Sequence, residues 1–291
     1  MKKYLLSLVC SLFVCSIVAA QEDETVITYE IGAFQISTLS EGGQDVGSNL
    51  LVGTTPEMLR KHLPDGTFPL EIQSFLVRTP DKTVLVDAGV GRNLFKNLQS
   101  LGVSEEQINV ILLTHMHGDH IGGLLRDEKA AFPHAELYFS QVEYDYWVNE
   151  KERGAGARKI IDAYKDKLHL FVPAAIEDAS QWLFPGFRAV TAYGHTPGHT
   201  AYFVESEKSK LLIWGDITHA TPIQMPHPEV TLTFDSNPEQ AAQTRKSILE
   251  YVAKNRIRVA GAHIKFPAIG NVVKGAEERY EFIAICTCEA L

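Results

Sequence analysis

The sequence predicts a layered α/β domain. Short apolar runs that begin at Ile108, Leu211 and Ile257 contain few polar residues, which is typical of strands covered on both faces. Helical segments lie between such runs, the clearest of them after Asn237. Strands that alternate with helices favour sheets packed against helix layers. About 270 residues after a short leader suffice for one large domain, and no linker-like stretch divides them.

Local patterns assign the first elements. Residues 26–39 alternate loosely between apolar and polar side chains, which predicts one or two strands. The glycines within 41–47 predict a loop. Thr55 followed by Pro56 predicts the cap and first position of a short helix. Residues 72–86 read as two strands joined by a Pro-Asp-Lys turn, which predicts a hairpin.

The later part of the chain alternates in the same way. The predicted elements are a helix at 93–101, a capped turn at 104–107, a strand at 108–114, a strand at 135–140, a helix at 141–148, strands at 187–193, 201–205 and 211–216, a helix at 237–254 and a strand at 257–262. Residues 150–158 combine charges with two glycines, and fit either a mobile lid or a plain solvated connection.

The first residues predict an exported protein. Lys2 and Lys3 precede an apolar run at 4–18, and small residues ending at Ala20 offer a cleavage site. The run is too short for a comfortable membrane span, so an uncleaved anchor is the weaker alternative. We therefore expect a signal peptide at 1–20, one folded domain at 21–291, a periplasmic or secreted location, and no membrane association after cleavage.

Charge and cysteine content exclude some functions. The net charge is −9, and loss of the two leader lysines makes it −11, which argues against nucleic acid as a partner. Cys286 and Cys288 remain in the mature chain. A bridge between cysteines two residues apart would be strained, so we interpret them as packed or terminal thiols.

A cluster of possible ligands occupies 115–120, with the sequence His-Met-His-Gly-Asp-His. Residues two apart share a face of an extended segment, so His115 and His117 can converge on one ion. A turn at the glycine can then direct Asp119 and His120 towards a second point. Imidazole nitrogen and carboxylate oxygen are ligands that zinc accepts, which predicts a metal site.

Other polar residues also follow apolar strands, namely Asp87, His199, Asp216 and His263. The order H-x-H-x-D-H, then G-H-T-P-G-H-T, then G-D after a strand and finally a lone histidine resembles the metallo-β-lactamase superfamily. The resemblance covers essentially the whole mature chain. It implies an α/β (α+β) fold, a four-layer αβ/βα sandwich with its metals at the edge of the sheets.

The resemblance also implies a ligand set for two zinc ions. By this assignment the first ion is held by His115, His117 and His199, the second by Asp119, His120 and His263, and Asp216 bridges them. His195 is expected to stabilise its turn or to support the ligands, and Asp87 to orient a ligand imidazole. Manganese, iron or cobalt could occupy the same groups.

Within the superfamily, the sequence looks most like the branch of methyl parathion hydrolase and secreted N-acyl-homoserine lactonases. The similarity lies in 214–219, Gln224, Asp235 and 263–267, with Lys265 as a departure. It implies that a metal-bridging hydroxide opens a lactone, ester or phosphotriester, and homodimers are common in this branch.

Further roles are expected around this centre. Asp119 is expected to shuttle a proton, and His219 to polarise the substrate or protonate the leaving group, unless it only packs. Trp147 and Phe266 are expected to line an apolar pocket for acyl or aryl groups. The alternatives are a glyoxalase II-type thioesterase, a β-lactamase, and a non-catalytic metal-binding protein.

Overall fold

The computed structural model describes residues 25–178, 180–275 and 279–285. The leader predicted at 1–20 and the two terminal cysteines, Cys286 and Cys288, lie outside the described residues. Within the described part of the chain, no helix is both long enough and apolar enough to cross a membrane.

The described strands and helices alternate along the chain. The strands are β1 (Val26–Ile31), β2 (Phe34–Gly47), β3 (Leu51–Val52), β4 (Thr67–Arg78), β5 (Thr83–Val86), β6 (Val110–Leu112), β7 (Leu125–Arg126), β8 (Lys129–Ala130), β9 (Glu136–Ser140), β10 (Leu168–Phe171), β11 (Phe187–Thr191), β12 (Thr200–Ser206), β13 (Ser209–Ile213), β14 (Thr231–Leu232), β15 (Arg258–Ala260), β16 (Ile269–Lys274) and β17 (Tyr280–Ala284). The α-helices are α1 (Pro56–His62), α2 (Leu94–Ser100), α3 (Gly118–Ile121), α4 (Gln141–Asn149), α5 (Ala155–Ala163), α6 (Thr221–Gln224) and α7 (Pro238–Asn255).

Two large sheets contain most of these strands. The first has the order β1-β2-β4-β5-β6-β9-β10, and the second has the order β11-β12-β13-β15-β16-β17. In the first sheet, β5, β6, β9 and β10 run parallel, and in the second sheet β13 runs parallel to β15. Neighbouring parallel strands end at the same sheet edge, so the loops after β5 and β6 leave together, as do the loops after β13 and β15.

Side-chain alternation produces the layers. Val84 and Val86 of β5 join a core that also contains the second sheet, whereas Leu85 packs on the opposite face against α2 and α5. Buried side chains of α7 cover the second sheet. The order of layers is thus helices, sheet, sheet, helix, and the predicted layered α/β fold is confirmed.

The predicted capping positions are also confirmed. Thr55 and Asn237 each accept the backbone N–H of the third residue after them, at 3.2 and 3.1 Å. Ser104 and Gln107 form a capping box around a single 3-10 turn. These side chains satisfy N–H groups that the first turn of a helix leaves unpaired.

The loop predicted at 41–47 was wrong, and the connection predicted at 150–158 is confirmed only for residues 150–154. Residues 41–47 continue β2 and pair with β4, with a bulge between Ser40 and Gly42 at which the register of the pairing shifts. Residues 155–158 belong to α5, whose buried Ile160 and Ile161 pack against the first sheet. In both places tertiary pairing outweighs the low strand or helix propensity of glycine.

Candidate metal centre

Loops from both sheets bring the polar residues together. The 115–120 cluster follows β6, His195 follows β11, Asp216 follows β13 and His263 follows β15. The histidines and aspartates among these residues are buried except His117 and Asp119, which are partly exposed. A rigid strand therefore fixes the start of each loop, and the loop presents its side chain at the shared edge.

One group of ligand atoms combines three imidazoles with a carboxylate. His115 Nε2 lies 2.9 Å from His117 Nδ1, which lies 3.0 Å from His195 Nε2. His195 Nε2 is in turn 3.1 Å from Asp216 Oδ2. These four side chains each offer one atom within 4.8 Å of the others, so they could hold one metal ion.

A second group lies on the other side of Asp216. Asp119 Oδ2 is 3.5 Å from His263 Nε2 and 3.9 Å from His120 Nε2. Asp216 reaches the same rings, with Oδ1 at 3.1 Å from His120 and Oδ2 at 3.1 Å from His263. One carboxylate thus contacts both groups, as expected of a bridging ligand.

His219 adds a further imidazole. Its Nε2 lies 3.0 Å from Asp216 Oδ2, and its ring stacks on His263 with centroids 4.6 Å apart. Asp216, His219 and His263 form a third group that could hold a metal. The amide oxygen of Gln224 accepts the backbone N–H of His219 at 2.7 Å, which fixes this turn.

The structure corrects one predicted ligand. His199 has both ring nitrogens engaged, Nδ1 at 3.0 Å from the Ala192 carbonyl and Nε2 accepting the Asp216 backbone N–H at 3.0 Å. Burial lowers the pKa of His199 to about 3, which matches a neutral ring. His195, which we expected only to support its turn, lies in the first group instead. The prediction that His199 holds a metal was therefore wrong for this geometry.

Hydrogen bonds orient the rings of the two groups. The contacts are His115 Nδ1 to Thr114 Oγ1 at 3.0 Å, His120 Nδ1 to Asp87 Oδ2 at 2.7 Å, His195 Nδ1 to Asp235 Oδ1 at 2.8 Å and His263 Nδ1 to the Glu71 carbonyl at 2.6 Å. Each leaves Nε2 facing the centre, which is the usual arrangement around a metal-ligating histidine.

Asp87 has the supporting position that was expected of it. Its carboxylate accepts the backbone N–H and the hydroxyl of Thr114, both at 2.8 Å, besides contacting His120. Its backbone is left-handed, with φ of 57°, a conformation that is costly for a residue with a Cβ. These three contacts hold the strained turn in place.

The buried charges favour a cation at the centre. Burial would raise the pKa of Asp216, but the rings of His120, His263 and their neighbours hold it well below its usual value. Burial and the neighbouring His195 lower the pKa of His117 to about 3, so not all of these rings accept protons. His120 Nε2 and Asp216 Oδ1 are buried and lie 3.1 Å apart, yet neither makes a well-aligned hydrogen bond among the described residues. Imidazole nitrogen and carboxylate oxygen are atoms that metal ions accept as ligands, so this pair fits a metal site.

A cavity of about 380 Å³ opens onto these groups. Its rim includes Leu70 and Phe234, which the sequence patterns did not indicate, and Arg153 from the stretch at 150–158. A neighbouring cavity of about 570 Å³ shares His263 and is lined mainly by apolar side chains, including Phe266 and Met225. Phe266 therefore lines an apolar pocket beside the centre, as predicted.

Trp147 does not have the predicted role. Its side chain is buried and is absent from the lining of both cavities. Its ring meets the ring of His117 edge to face at 5.6 Å, and its indole N–H donates to Glu143 at 2.6 Å. The prediction that Trp147 contacts substrate was wrong, because the helix that carries it turns this face towards the core.

Comparisons with known proteins find matches to this chain in sequence and in fold. The family model described as the metallo-beta-lactamase superfamily matches residues 67–263. An N-acyl homoserine lactonase of Bacillus cereus is 23% identical over 226 residues, which cover 69% of this chain and 84% of the relative.

Two solved structures share the whole fold. The dizinc quorum-quenching lactonase AidC, solved in complex with a product, has a TM-score of 0.82 and 26% identity, covering 90% of this chain and 97% of that chain. The hydrolase AbOPH, of the beta lactamase superfamily, has a TM-score of 0.79 and 29% identity, covering 90% and 98%.

Proposed function

Because this chain belongs to the metallo-β-lactamase superfamily and is a metal-dependent hydrolase, we propose that it is a dizinc enzyme that opens acyl-bearing lactones or esters. N-acyl-homoserine lactones are the favoured substrate class, and phosphotriesters are the second candidate. The observation that carries the proposal is the position of Asp216 between two ligand groups, beside an apolar cavity.

The ligand groups divide between two ions. In this proposal His115, His117 and His195 hold one ion, Asp119, His120 and His263 hold the other, and Asp216 serves both. When bound, zinc supplies Lewis acidity and lowers the pKa of water, which makes a nucleophile available at neutral pH.

Asp119 and His219 act on protons and on the substrate in this scheme. Both side chains line the cavity, and Asp119 is the more exposed of the two. Asp119 Oδ2 faces the second ligand group, and the other carboxylate oxygen, Oδ1, takes the proton of the attacking water and returns it to the leaving oxygen. Burial lowers the pKa of His219 to about 4, so its neutral ring donates a hydrogen bond from N–H to the substrate carbonyl and polarises it.

The function is tested by a panel of substrates on the zinc-loaded protein. The panel holds an N-acyl-homoserine lactone, an aryl ester, a phosphotriester, a thiol ester and a β-lactam. We expect the lactone to be turned over best, and Asp119→Ala to lower kcat by roughly a hundredfold or more because a proton acceptor is lost.

Other outcomes of the panel separate the alternatives. Preference for the thiol ester or the β-lactam would discard the lactonase branch, and no turnover with two zinc ions bound would favour a binding role. His219→Ala is measured on the same panel, and unchanged kcat and KM across it would contradict the role of His219.

Phe266 is expected to select for acyl length. We predict that Phe266→Ala raises KM for a ten-carbon acyl lactone about tenfold and leaves a four-carbon substrate nearly unchanged, since about 1 to 1.5 kcal/mol of apolar contact is lost. Trp182→Ala, which removes an exposed aromatic side chain outside both cavities, is the control. Equal changes in KM for both acyl lengths in Phe266→Ala would show that the acyl chain does not bind against Phe266.

A further inference from the structure

Glu143 is a buried carboxylate near the metal groups that belongs to none of them. It lies on α4 and is fully buried. Its Oε1 accepts the Met116 backbone N–H at 3.0 Å and the Trp147 indole N–H at 2.6 Å. Its Oε2 accepts the Thr196 hydroxyl at 2.7 Å and the Gly198 backbone N–H at 3.0 Å. Four donors thus surround one carboxylate.

These donors come from two ligand loops. Met116 stands between His115 and His117, after a strand of the first sheet, whereas Thr196 directly follows His195, after a strand of the second sheet. Glu143 Oε1 contacts the first loop and Oε2 contacts the second loop. The Glu143 side chain therefore connects the two loops that supply the histidines of the first metal group.

The start of α4 strengthens this connection. The Ser140 hydroxyl accepts the backbone N–H of Glu143 at 3.0 Å and donates to the Gly198 carbonyl at 2.9 Å. A Cβ on Gly198 would lie 2.2 Å from the Glu143 backbone nitrogen, so glycine is needed for the loop to approach the helix this closely. Trp147, one turn further along α4, packs against His117.

The chemistry of the pocket is specific for a carboxylate. Burial raises the pKa of Glu143, although the four hydrogen bonds favour its ionised form. A glutamine here would keep the shape but would present an NH₂ group to two donors. One pair of donors would then lose its acceptor, and the loop that carries them would shift.

We propose that Glu143 is a positioning residue that holds His115 and His117 at binding distance from His195. The inference rests on the proposed metal site, but not on any particular substrate. Groups that orient metal ligands typically contribute 10- to 100-fold to metal affinity or activity.

The test is the zinc affinity of Glu143→Gln, measured by competition with a chromophoric chelator, together with thermal unfolding of the metal-free protein. We expect the zinc ion of the group with His115, His117 and His195 to bind at least about tenfold more weakly than in the wild type, and kcat to fall with KM little changed. Thr196→Val removes one of the four donors without emptying the site, and we expect a smaller loss of zinc affinity in the same direction.

Glu41→Gln is the matched control. Glu41 is also a buried carboxylate whose pKa is raised by burial, and it accepts the backbone N–H groups of Arg92 and Asn93. It contacts none of the proposed ligands, so its variant should lose stability and keep both zinc ions. Wild-type zinc affinity in Glu143→Gln, with a stability loss equal to that of the control, would overturn the inference. Zinc binding is measured without substrate. The effect of Glu143→Gln on zinc affinity can therefore be interpreted even if the protein does not hydrolyse lactones.

Discussion

Replacing Asp216 with asparagine is expected to lower kcat/KM by about a thousandfold or more. The Asp216 carboxylate lies within 3.1 Å of ring nitrogens of four histidines, His120, His195, His219 and His263. Asparagine keeps the volume but replaces one oxygen by an NH₂ group, which repels a cation and leaves both ligand groups without a shared donor. Loss of several kcal/mol of charge stabilisation corresponds to this factor.

The measurement is kcat/KM together with the zinc content per chain. Asp145→Asn, on the exposed side of α4, provides the control for loss of a carboxylate that contacts no ligand. Zinc content is expected to fall below two per chain in Asp216→Asn alone. A variant that retains two zinc ions and stays within threefold of wild-type kcat/KM would show that the two groups do not share Asp216.

The sequence was a good guide where one physical constraint dominates. The apolar runs at β6, β13 and β15 had to be strands covered on both faces, and the polar residue after each of them had to lie at a sheet edge. His115, Asp216 and His263 could be placed on that ground alone. Alternation within β5 likewise determines which side chains face each layer.

The sequence was a poor guide where long-range contacts decide. Glu143 reads as one polar residue on a helix, and only the approach of Gly198 reveals its four donors. Arg153 and Phe234 come to the cavity rim from segments far apart in the chain. The periodicity of a single segment does not predict such long-range contacts, because each contact depends on how two separate elements pack.

The choice between His195 and His199 shows the same limit within one short motif. Both are buried histidines in the loop before β12, so residue type and spacing do not separate them. Hydrogen bonding separates them, since His195 donates from Nδ1 to Asp235 and directs Nε2 to the centre. His199 instead accepts the Asp216 backbone N–H.

A matched pair of alanine variants turns this difference into a measurement. His195→Ala is expected to lose one zinc per chain and to lower kcat/KM by roughly a hundredfold, because a ligand with an oriented imidazole is gone. His199→Ala is expected to keep two zinc ions and to stay within about tenfold in kcat/KM. Its cost should appear as about 2 to 4 kcal/mol of unfolding free energy, from a cavity and an unpaired backbone N–H.

Loss of a ligand should lower the zinc content, whereas loss of a structural residue should lower the stability of the metal-free protein. The two variants therefore distinguish the two roles. A structural histidine that spans Ala192 and Asp216 holds the loop after β13 in place whether or not metal is present, so the stability loss should persist in the metal-free protein. A ligand contributes stability mainly when zinc is bound. If His199→Ala released zinc while His195→Ala retained two ions, the assignment of His195 to the first group would have to be reversed.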